Sequence, residues 1–377
     1  MNIYEESLIA HRKAHGKVSM ASKVPLKSRH DMSIYYSPGV AAVSERLAKH
    51  PSETPIYTNT HNTVAVISDG TSVLGLGNIG PEGALPVMEG KAILFKHFAD
   101  IDAIPIVLNT QQPDEIIATV MAISPSFGGI NLEDIAAPQC FYIEEELKKR
   151  LSIPVMHDDQ HGTAVVVLAG LINACRVTHR ELSKSKIVLV GAGAAGVAIA
   201  KLLSKYAHPD IVAVDSKGVI HSKRTDLNAE KQLLSTYSKN DGSKTLPEAI
   251  RGADIFIGVS RGGLLSREMV ASMAANPIIF ALANPEPEIM PDIAKEAGAA
   301  IIATGRSDFP NQVNNVLAFP GLFRGALDTQ SAITDTHKLA AAEALAASVH
   351  SPKADKIIPS PLDNTTNAVA AVFAAKR

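Results

Sequence analysis

The segment KIVLVGAGAAGVAIAKLL, residues 186–203, has the layout of a strand, a glycine-rich turn and a helix. Gly191, Gly193 and Gly196 complete the pattern G-x-G-x-x-G directly after the apolar run KIVLV. Free N–H groups at the start of the following helix can face a pyrophosphate. The next apolar run ends in Asp215, where a carboxylate can accept hydrogen bonds from an adenosine ribose. We therefore predict a dinucleotide site formed by Asp215 and by the loop residues Gly191, Ala192, Gly193, Ala194, Ala195 and Gly196.

The rest of the chain alternates short apolar runs with helix-forming segments, which predicts an α/β fold with largely parallel sheets. We predict an N-terminal α/β domain over residues 1–160 and a doubly wound Rossmann-type domain with C-terminal helices over residues 161–377. The apolar segment 163–175 is too short to span a bilayer and is predicted to be a buried helix. The predicted strands are 64–68, 104–108, 128–131, 154–157, 186–190, 211–215, 254–259, 278–283 and 299–304.

A second glycine match, Gly75-Leu-Gly77-Asn-Ile-Gly80, lies earlier in the chain. Because Pro81 follows Gly80, we predict that no helix begins at the third glycine. The next predicted strand also lacks an acidic residue at its end. We therefore expect one dinucleotide in total, with the earlier loop forming either the opposite wall of the same site or a structural turn.

The composition excludes several classes of function. The 377 residues are 46% hydrophobic and 20% charged, with a net charge of −2, which predicts neither a nucleic-acid partner nor an anionic membrane partner. Two cysteines cannot build a disulfide framework. The N-terminus is acidic where a signal peptide would be basic. We expect a cytoplasmic protein.

Two acidic pairs stand at the ends of predicted strands. Glu133 and Asp134 follow one strand, and Asp158 and Asp159 follow the next. Carboxylates brought together repel one another unless a cation lies between them, and an all-oxygen ligand set favours Mg²⁺ or Mn²⁺. The alternative is that Asp158 and Asp159 cap the helix that follows them.

Five further polar side chains are candidates for chemistry. Lys91 lies in an apolar stretch, where a depressed pKa would make it a base, although a single lysine can also be a surface residue. Tyr36, before Ser-Pro-Gly, could donate a proton or simply pack. Asn284, Asn314 and Asn315 lie in predicted loops, where amides can hold a carboxylate or form turns.

The segment 140–150 carries three i,i+4 ion pairs, which predicts a helix with a solvated charged face. The pairs are Glu144/Lys148, Glu145/Lys149 and Glu146/Arg150.

Taken together, seven segments in the same order resemble the malic enzyme family in its short bacterial form. This resemblance implies oxidative decarboxylation of L-malate to pyruvate and CO₂, with a nicotinamide cofactor and Mg²⁺ or Mn²⁺, in a homodimer. The segments are SKVPLKSRHDMSIYYSPGVA, SDGTSVLGLGNIGPEGALPVMEGKAILFK, FGGINLEDIAAPQCF, HDDQHGTA, GAGAAG, ALANPEPEI and GRSDFPNQVNNVLAFPGLFRGAL.

The resemblance also implies roles for individual residues. Tyr36 would be the general acid and Lys91 the general base, with Lys91 also contacting substrate. Asn284 and Asn315 would bind the substrate carboxylate, and the neighbouring Asn314 is added to this set from its loop position alone. The metal ligands would be Glu133, Asp134 and Asp159, with Asp158 beside them. The larger members of the family often have an arginine where this chain has Ser72, so that charge must come from elsewhere.

Asp215 favours NAD, because its carboxylate would repel the 2′-phosphate of NADP. Lys217, Lys223 and Arg224 follow closely and could neutralise that phosphate, so NADP remains the alternative. Two other reactions fit the same residues, namely malolactic conversion of malate to lactate and metal-dependent decarboxylation of oxaloacetate. A non-enzymatic redox-sensing module is a further alternative, although no basic recognition helix is evident.

Overall fold

The computed structural model describes residues 2–239 and 242–374 and has the predicted α/β architecture. The strands are β1 (Thr63–Ser68), β2 (Asp102–Val107), β3 (Gly129–Leu132), β4 (Val155–His157), β5 (Lys186–Val190), β6 (Asp210–Asp215), β7 (Gly218–Val219), β8 (Ile255–Gly258), β9 (Ile278–Ala281) and β10 (Ile301–Thr304). The α-helices are α1 (Ile3–Ala14), α2 (Arg29–Tyr35), α3 (Val40–Lys49), α4 (Thr54–Tyr57), α5 (Gly80–Ala99), α6 (Pro113–Ile123), α7 (Gln139–Arg150), α8 (Asp158–Val177), α9 (Ala194–Ala207), α10 (Ala229–Ser235), α11 (Leu246–Ile250), α12 (Arg267–Ala271), α13 (Pro291–Glu296), α14 (Phe319–Thr329), α15 (Asp335–Ala347) and α16 (Thr366–Ala370).

The first sheet is parallel, with the strand order β2-β1-β3-β4. All four strands lie where apolar runs predicted them. Leu132 at the end of β3 pairs with His157 at the end of β4, so the residues that follow these strands emerge side by side. This register brings the acidic pairs 133–134 and 158–159 to one edge of the sheet, where ligands bind in α/β folds.

The second sheet has the strand order β10-β9-β8-β5-β6-β7 and contains all five predicted strands. The sequence did not predict β7, a two-residue antiparallel strand at the edge. The chain reverses its winding between β5 and β8, which is the switch point where doubly wound sheets bind dinucleotides. Gly191 stands at this point, after β5, and a Cβ atom there would lie 2.6 Å from the carbonyl oxygen of Val259.

The long helix α8 joins the two sheets, and the predicted boundary at residue 160 falls in its first turn. Residues 164–175 are all buried, which confirms the predicted buried helix. One apolar cluster contains side chains from both sheets. The C-terminal part returns to the first sheet, because the rings of Phe319 and Phe323 on α14 lie 4.7 and 5.4 Å from that of Phe95 on α5.

The glycine loop before α5 contradicts one prediction, because a helix does begin at Gly80. Pro81 occupies its first turn, where the N–H that proline lacks has no partner within the helix. The proline therefore starts this helix rather than preventing it. The loop itself faces the second sheet, since a Cβ atom on Gly75 would lie 2.6 Å from the carbonyl oxygen of Asn284.

The N-terminal helices α1, α2 and α3 differ from the rest of the fold, because none of them has a buried residue. In the described part of the chain, no helix combines the length and the apolar character needed to cross a membrane.

Candidate active site

Lys91 projects from α5 into the acidic edge of the first sheet. Its side chain is buried, and Nζ lies 2.7 Å from Oδ2 of Asp158 and 2.9 Å from Oε1 of Glu133. The ring of Phe319 covers the ammonium at 4.2 Å from its centroid. The surface-residue alternative is therefore wrong, and Lys91 belongs to the site.

The pKa of Lys91 differs from the sequence prediction. Burial alone would lower it, but the charges of Asp158 and Glu133 outweigh burial and raise the pKa above its usual value. The predicted depression is thus contradicted. Burial and a nearby metal would both lower the pKa of Lys91, but the two carboxylates in direct contact with the amine raise it.

The predicted metal ligands come together. Oxygen atoms of Glu133, Asp134 and Asp159 all lie within 4.8 Å of one another. Oδ2 of Asp134 is buried without a hydrogen-bond partner, although the backbone N–H of Asp134 donates to Asp159 at 2.8 Å. A buried carboxylate oxygen without a hydrogen-bond partner destabilises the fold unless a cation or another polar group contacts it. A divalent cation fits this oxygen set, because carboxylates are its preferred ligands.

Burial and mutual repulsion raise the pKa of these carboxyl groups. For Asp134, burial and the nearby charge of Asp159 raise the pKa to about 8. For Glu133, burial is again the main cause, and the pKa lies well above its usual range despite the contact with Lys91. This electrostatic strain would be relieved by positive charge at the centre of the group.

Asp158 is the first residue of α8 and is completely buried. Its Oδ2 atom accepts hydrogen bonds from Lys91 and, at 2.6 Å, from the amide of Asn315. Neither Asp158 nor Asp159 forms a capping hydrogen bond at α8, whose cap position is His157. The capping alternative is therefore wrong, and Asp158 holds the lysine in place beside the carboxylate group.

The three asparagines have different surroundings. Asn315 is linked to the site by the hydrogen bond that its amide donates to Asp158. Asn314 instead accepts a hydrogen bond from the Val316 N–H at 3.0 Å and caps a short turn. Asn284 is exposed after β9, and its amide is close to Gly305, where a Cβ atom would lie 2.6 Å from Nδ2.

The cofactor loop has the geometry that its glycines predict. Gly191 has a φ of +113°, and a Cβ atom on Gly196 would lie 1.9 Å from the Gly191 carbonyl oxygen. Gly193 immediately precedes α9 and has open space around its Cβ position, so a ligand can approach the backbone there. Ala194 and Ala195 form the first turn of α9.

Asp215 lies at the end of β6, but its carboxylate is occupied. Oδ1 accepts hydrogen bonds from Lys217 N at 2.9 Å and Arg224 Nη1 at 2.8 Å. Oδ2 accepts from Arg224 Nη2 at 3.1 Å and Lys231 Nζ at 2.8 Å. Although burial opposes ionisation, these donors lower the pKa of Asp215 to about 2.

Tyr36 is not among the side chains that contact Lys91. It follows α2 and is 66% exposed, and no described residue hydrogen-bonds to its hydroxyl. The predicted general acid therefore stands at the surface of the single chain.

Sequence reasoning missed several residues at the site. Asp69, buried after β1, accepts hydrogen bonds from the N–H and hydroxyl of Thr71 at 3.0 and 2.6 Å. Its position after an apolar strand was an available signal. His157 is completely buried, with Nε2 at 3.7 Å from Asp159, and neither ring nitrogen has a hydrogen-bond partner.

The solvated face predicted for α7 is wrong at Glu144, which is buried behind the 157–161 turn. Its carboxylate accepts hydrogen bonds from the His157 N–H at 3.0 Å and from Lys148 at 2.6 Å, and it lies 2.9 Å from Nε2 of His161. Arg150 pairs with Glu146 at 2.5 Å as predicted, whereas the ion pair of Lys149 is with Glu146 at 3.0 Å instead of the predicted Glu145.

Comparisons with known proteins agree with this geometry. Residues 15–148 match the family "Malic enzyme, N-terminal domain" and residues 160–376 match "Malic enzyme, NAD binding domain". The chain is 53% identical to the bifunctional malic/malolactic enzyme of Bacillus subtilis, over 100% of this chain and 93% of that protein. It is 52% identical to the NAD-dependent malic enzyme of Geobacillus stearothermophilus, over 93% of this chain and 73% of that protein.

A solved structure extends the similarity to three dimensions. The NAD-dependent malic enzyme of Thermotoga maritima superposes with a TM-score of 0.94 at 49% identity, covering 98% of both chains. The family matches over residues 15–148 and 160–376 contain Lys91, Glu133 and Asp134 in the first span and the cofactor loop in the second. This chain belongs to the malic enzyme family.

Proposed function

We propose that this protein converts L-malate to pyruvate and CO₂ by oxidative decarboxylation, with a nicotinamide cofactor and a divalent cation. The observation that carries the proposal is the position of the Lys91 amine, which is held by Asp158 and Glu133 next to the carboxylate group. A base beside a cation site is the arrangement needed to remove a proton from an alcohol.

The ligand sets follow from the same geometry. Glu133, Asp134 and Asp159 would hold Mg²⁺ or Mn²⁺, and the turn from Gly191 to Gly196 would hold the pyrophosphate of the dinucleotide. When bound, the cation withdraws charge from the substrate oxygen atoms and the nicotinamide accepts the hydride from C2.

Lys91 and Tyr36 would move the proton. With a cation bound, its charge would offset the carboxylates that raise the pKa of Lys91, so that the amine would be neutral and could take the proton of the C2 hydroxyl as the C2–H bond is broken. The C3–C4 bond then breaks, CO₂ leaves without the bonding electron pair, and Tyr36 donates a proton to C3. Lys91 returns its proton to Tyr36, so the hydroxyl proton of malate ends on C3 of pyruvate and both residues are restored.

Asparagine amides would position the substrate. Asn284 is exposed opposite Gly75, so its amide N–H groups can reach a substrate carboxylate. The Asn315 amide has two N–H groups and donates one of them to Asp158, which leaves the other for the substrate. Neither residue adds charge to the site. Asn314 would support this loop through its turn.

NAD is the proposed preferred cofactor, because the 2′-phosphate of NADP would meet the carboxylates of Asp215 and Asp226. We expect only a small difference in kcat/KM between NAD and NADP. Arg224 bonds both carboxylates, and Lys231 and Lys217 add two more positive charges, so that the repulsion is largely offset.

Malolactic conversion is the second candidate, since a relative with 53% identity is named as a bifunctional malic/malolactic enzyme. In that reaction lactate forms and no reduced nicotinamide accumulates. Both reactions would use the same lysine and carboxylate group, so only the products distinguish them.

The cellular setting is proposed from the cysteines. Cys140 and Cys175 are both unpaired and buried, and burial raises the pKa of the Cys175 thiol to about 11. Unreactive free thiols of this kind suit a reducing compartment such as the cytoplasm.

The test is to follow reduced nicotinamide by absorbance with L-malate and Mn²⁺, using NAD and NADP in parallel, while assaying pyruvate and lactate. We expect reduced cofactor and pyruvate to rise in equal amounts, faster with NAD. Lactate without reduced cofactor would assign the malolactic reaction instead. Absence of every product, with the folded protein and metal present, would refute the proposal.

A further inference from the structure

Glu288, in the segment NPEPEI after β9, is a carboxylate that the fold buries completely. Its Oε1 atom accepts a hydrogen bond from the Ser260 N–H at 3.1 Å, and its Oε2 atom accepts one from the Ala283 N–H at 3.1 Å. Ser260 belongs to the loop after β8, and Ala283 belongs to the loop after β9. One side chain therefore ties together the loops that leave two neighbouring strands of the second sheet.

The surrounding backbone leaves room for this side chain. A Cβ atom on Gly258, the last residue of β8, would lie 2.3 Å from Cδ of Glu288, so a glycine is needed there. The two loops also pair through their backbones, because the Leu265 N–H donates to the Glu288 carbonyl at 2.9 Å. The segments 259–265 and 282–288 are thus joined at more than one point.

The Glu288 carboxylate is held by neutral groups alone in the part of the chain that the structure describes. Burial raises its pKa, and the backbone N–H groups of Ala283 and Ser260 oppose that rise. Burying a carboxylate without a charged partner costs stability compared with burying an apolar side chain. A role in packing therefore does not explain Glu288, whereas its two directed hydrogen bonds give it a specific task.

The loop after β8 borders the dinucleotide site. The Val259 N–H donates to the Val190 carbonyl at 2.9 Å, and a Cβ atom on Gly191 would lie 2.6 Å from the Val259 carbonyl oxygen. With the adenosine ribose assigned to Asp215 on β6 and the pyrophosphate to the turn after β5, the side of β8 and β9 is left for the nicotinamide. The loops that Glu288 joins therefore border the reactive end of the cofactor.

The loop after β9 carries Asn284, the proposed partner of the substrate carboxylate. Asn284 directly follows Ala283, whose N–H is held by Glu288. It also reaches the glycine loop of the first sheet, because a Cβ atom on Gly75 would lie 2.6 Å from the Asn284 carbonyl oxygen. A continuous set of contacts thus leads from the dinucleotide loop through Glu288 to the substrate amide.

We propose that Glu288 is a positioning residue that fixes the loop after β8 against the loop after β9 and so couples dinucleotide binding to malate binding at Asn284. This inference rests on the proposed function, in which malate and the dinucleotide share one site. Because Glu288 is completely buried, it acts through the backbone of Ser260 and Ala283 and contacts neither ligand. Coupling of this kind is reciprocal, so each ligand should tighten the binding of the other.

The test compares Glu288→Gln with Glu286→Gln, which changes an exposed glutamate of the same loop. Glutamine has nearly the same shape, but its NH₂ group must face one of the two backbone N–H groups and lose that hydrogen bond. Binding of reduced nicotinamide is followed by its fluorescence in the presence of Mn²⁺, with and without L-malate. Malate and the reduced cofactor cannot exchange a hydride, so the measurement reports coupling without turnover.

Saturating malate should lower the Kd of the reduced cofactor about fivefold or more in the wild type and in Glu286→Gln. In Glu288→Gln this factor should fall below about twofold, while the Kd without malate stays within about threefold of the wild-type value. Wild-type coupling in Glu288→Gln would overturn the inference. So would a Kd without malate that rises much further, because Glu288 would then shape the cofactor site alone.

Asn284→Ala tests the other end of the same contacts at an exposed residue, where the change does not disturb the core. It should also remove the coupling, and an unchanged coupling factor would contradict the route through Asn284. This variant decides the question even if Glu288→Gln does not fold, which urea unfolding reveals.

Kinetics supply a second readout for Glu288→Gln. KM for malate at saturating NAD should rise about tenfold while kcat changes less than about threefold, since Lys91 and the carboxylate group are untouched. A fall in kcat with an unchanged KM would oppose a positioning role. The wild type separates the two proposals. Absence of pyruvate would refute the proposed function, whereas pyruvate formation without any coupling between malate and cofactor would refute this inference alone.

Discussion

Nζ of Lys91 lies 2.7 Å from Oδ2 of Asp158, although 67 residues separate the two in sequence. The contact joins the middle of α5 to the first turn of α8, and Asn315 donates to the same oxygen from a third segment. The amine is therefore held by an acceptor that cannot move without disturbing α8. This rigidity is what a base needs if it is to meet the substrate hydroxyl in one position.

Lys91→Ala should abolish turnover and leave cofactor binding near normal, because the base is lost and the loop at 191–196 is untouched. Turnover is measured by pyruvate formation, and cofactor binding by the fluorescence of reduced nicotinamide. Lys96→Ala is the matched control on the same helix, since Lys96 is more than half exposed and contacts Asp100 and Asp102. Loss of cofactor binding in Lys91→Ala would count against the assigned role.

Gly162→Ala should reduce turnover at least tenfold, because the added Cβ would lie 1.9 Å from Oδ1 of Asp158. Asp158 must then shift and release Lys91, and overpacking of this kind also destabilises by about 1–3 kcal/mol. Turnover and urea unfolding check the two effects. Gly90→Ala is the control for stability, because its Cβ would come no closer than 3.7 Å to any neighbour outside its own helix backbone, and it should not destabilise. An unchanged turnover in Gly162→Ala would show that the position of Asp158 is not critical.

The sequence could predict the strands and the acidic edge because both depend on local patterns. Apolar runs identified β3 and β4 and put both acidic pairs at the ends of strands, whereas the register that sets Glu133 beside Asp158 is known only from the structure. The glycine spacing at 191–196 was similarly sufficient, since the close approach of Gly196 to Gly191 is local.

What the sequence could not predict depends on contacts between distant segments. The raised pKa of Lys91 follows from carboxylates on two other elements, and the burial of Glu144 follows from the turn at 157–161 that packs over it. The helix at Gly80 was missed for a different reason. A proline after the third glycine predicts the end of a helix, whereas proline is in fact well suited to a first turn.

Asp134→Asn should weaken Mn²⁺ binding at least tenfold, because it removes a charged ligand whose Oδ2 has no other partner. Calorimetric titration of the metal-free protein with Mn²⁺ measures the affinity directly, without turnover. Asp100→Asn is the control, at an aspartate whose side chain is 85% exposed at the end of α5. Equal Mn²⁺ affinity in both variants would contradict the ligand assignment, and chelation by EDTA should abolish wild-type turnover until Mn²⁺ is restored.

Lys231→Gln should increase discrimination against NADP about tenfold. The change removes one positive charge and one of the four hydrogen bonds to Asp215, so that its carboxylate repels the 2′-phosphate more strongly. The ratio of kcat/KM for NAD and NADP is the measurement, and the value for NAD should not fall. Lys295→Gln, on an exposed lysine of α13, should leave the ratio unchanged. A lower kcat/KM for NAD with no change for NADP would oppose this explanation of cofactor choice.

Asp215→Asn should make the protein less stable at neutral pH but not near pH 2. The folded-state pKa of Asp215 is about 2, below its ordinary value, because Arg224 and Lys231 outweigh the effect of burial. A carboxyl group with a lowered pKa contributes stability above its unfolded pKa and loses that contribution as pH falls through the folded pKa. The difference in the free energy of unfolding between wild type and variant should be about 1–2 kcal/mol at pH 7 and should shrink between about pH 4 and pH 2. Urea unfolding at pH 7, 5 and 3 measures it, and a difference that does not change with pH would mean that the ion pairs of Asp215 add no stability through its charge.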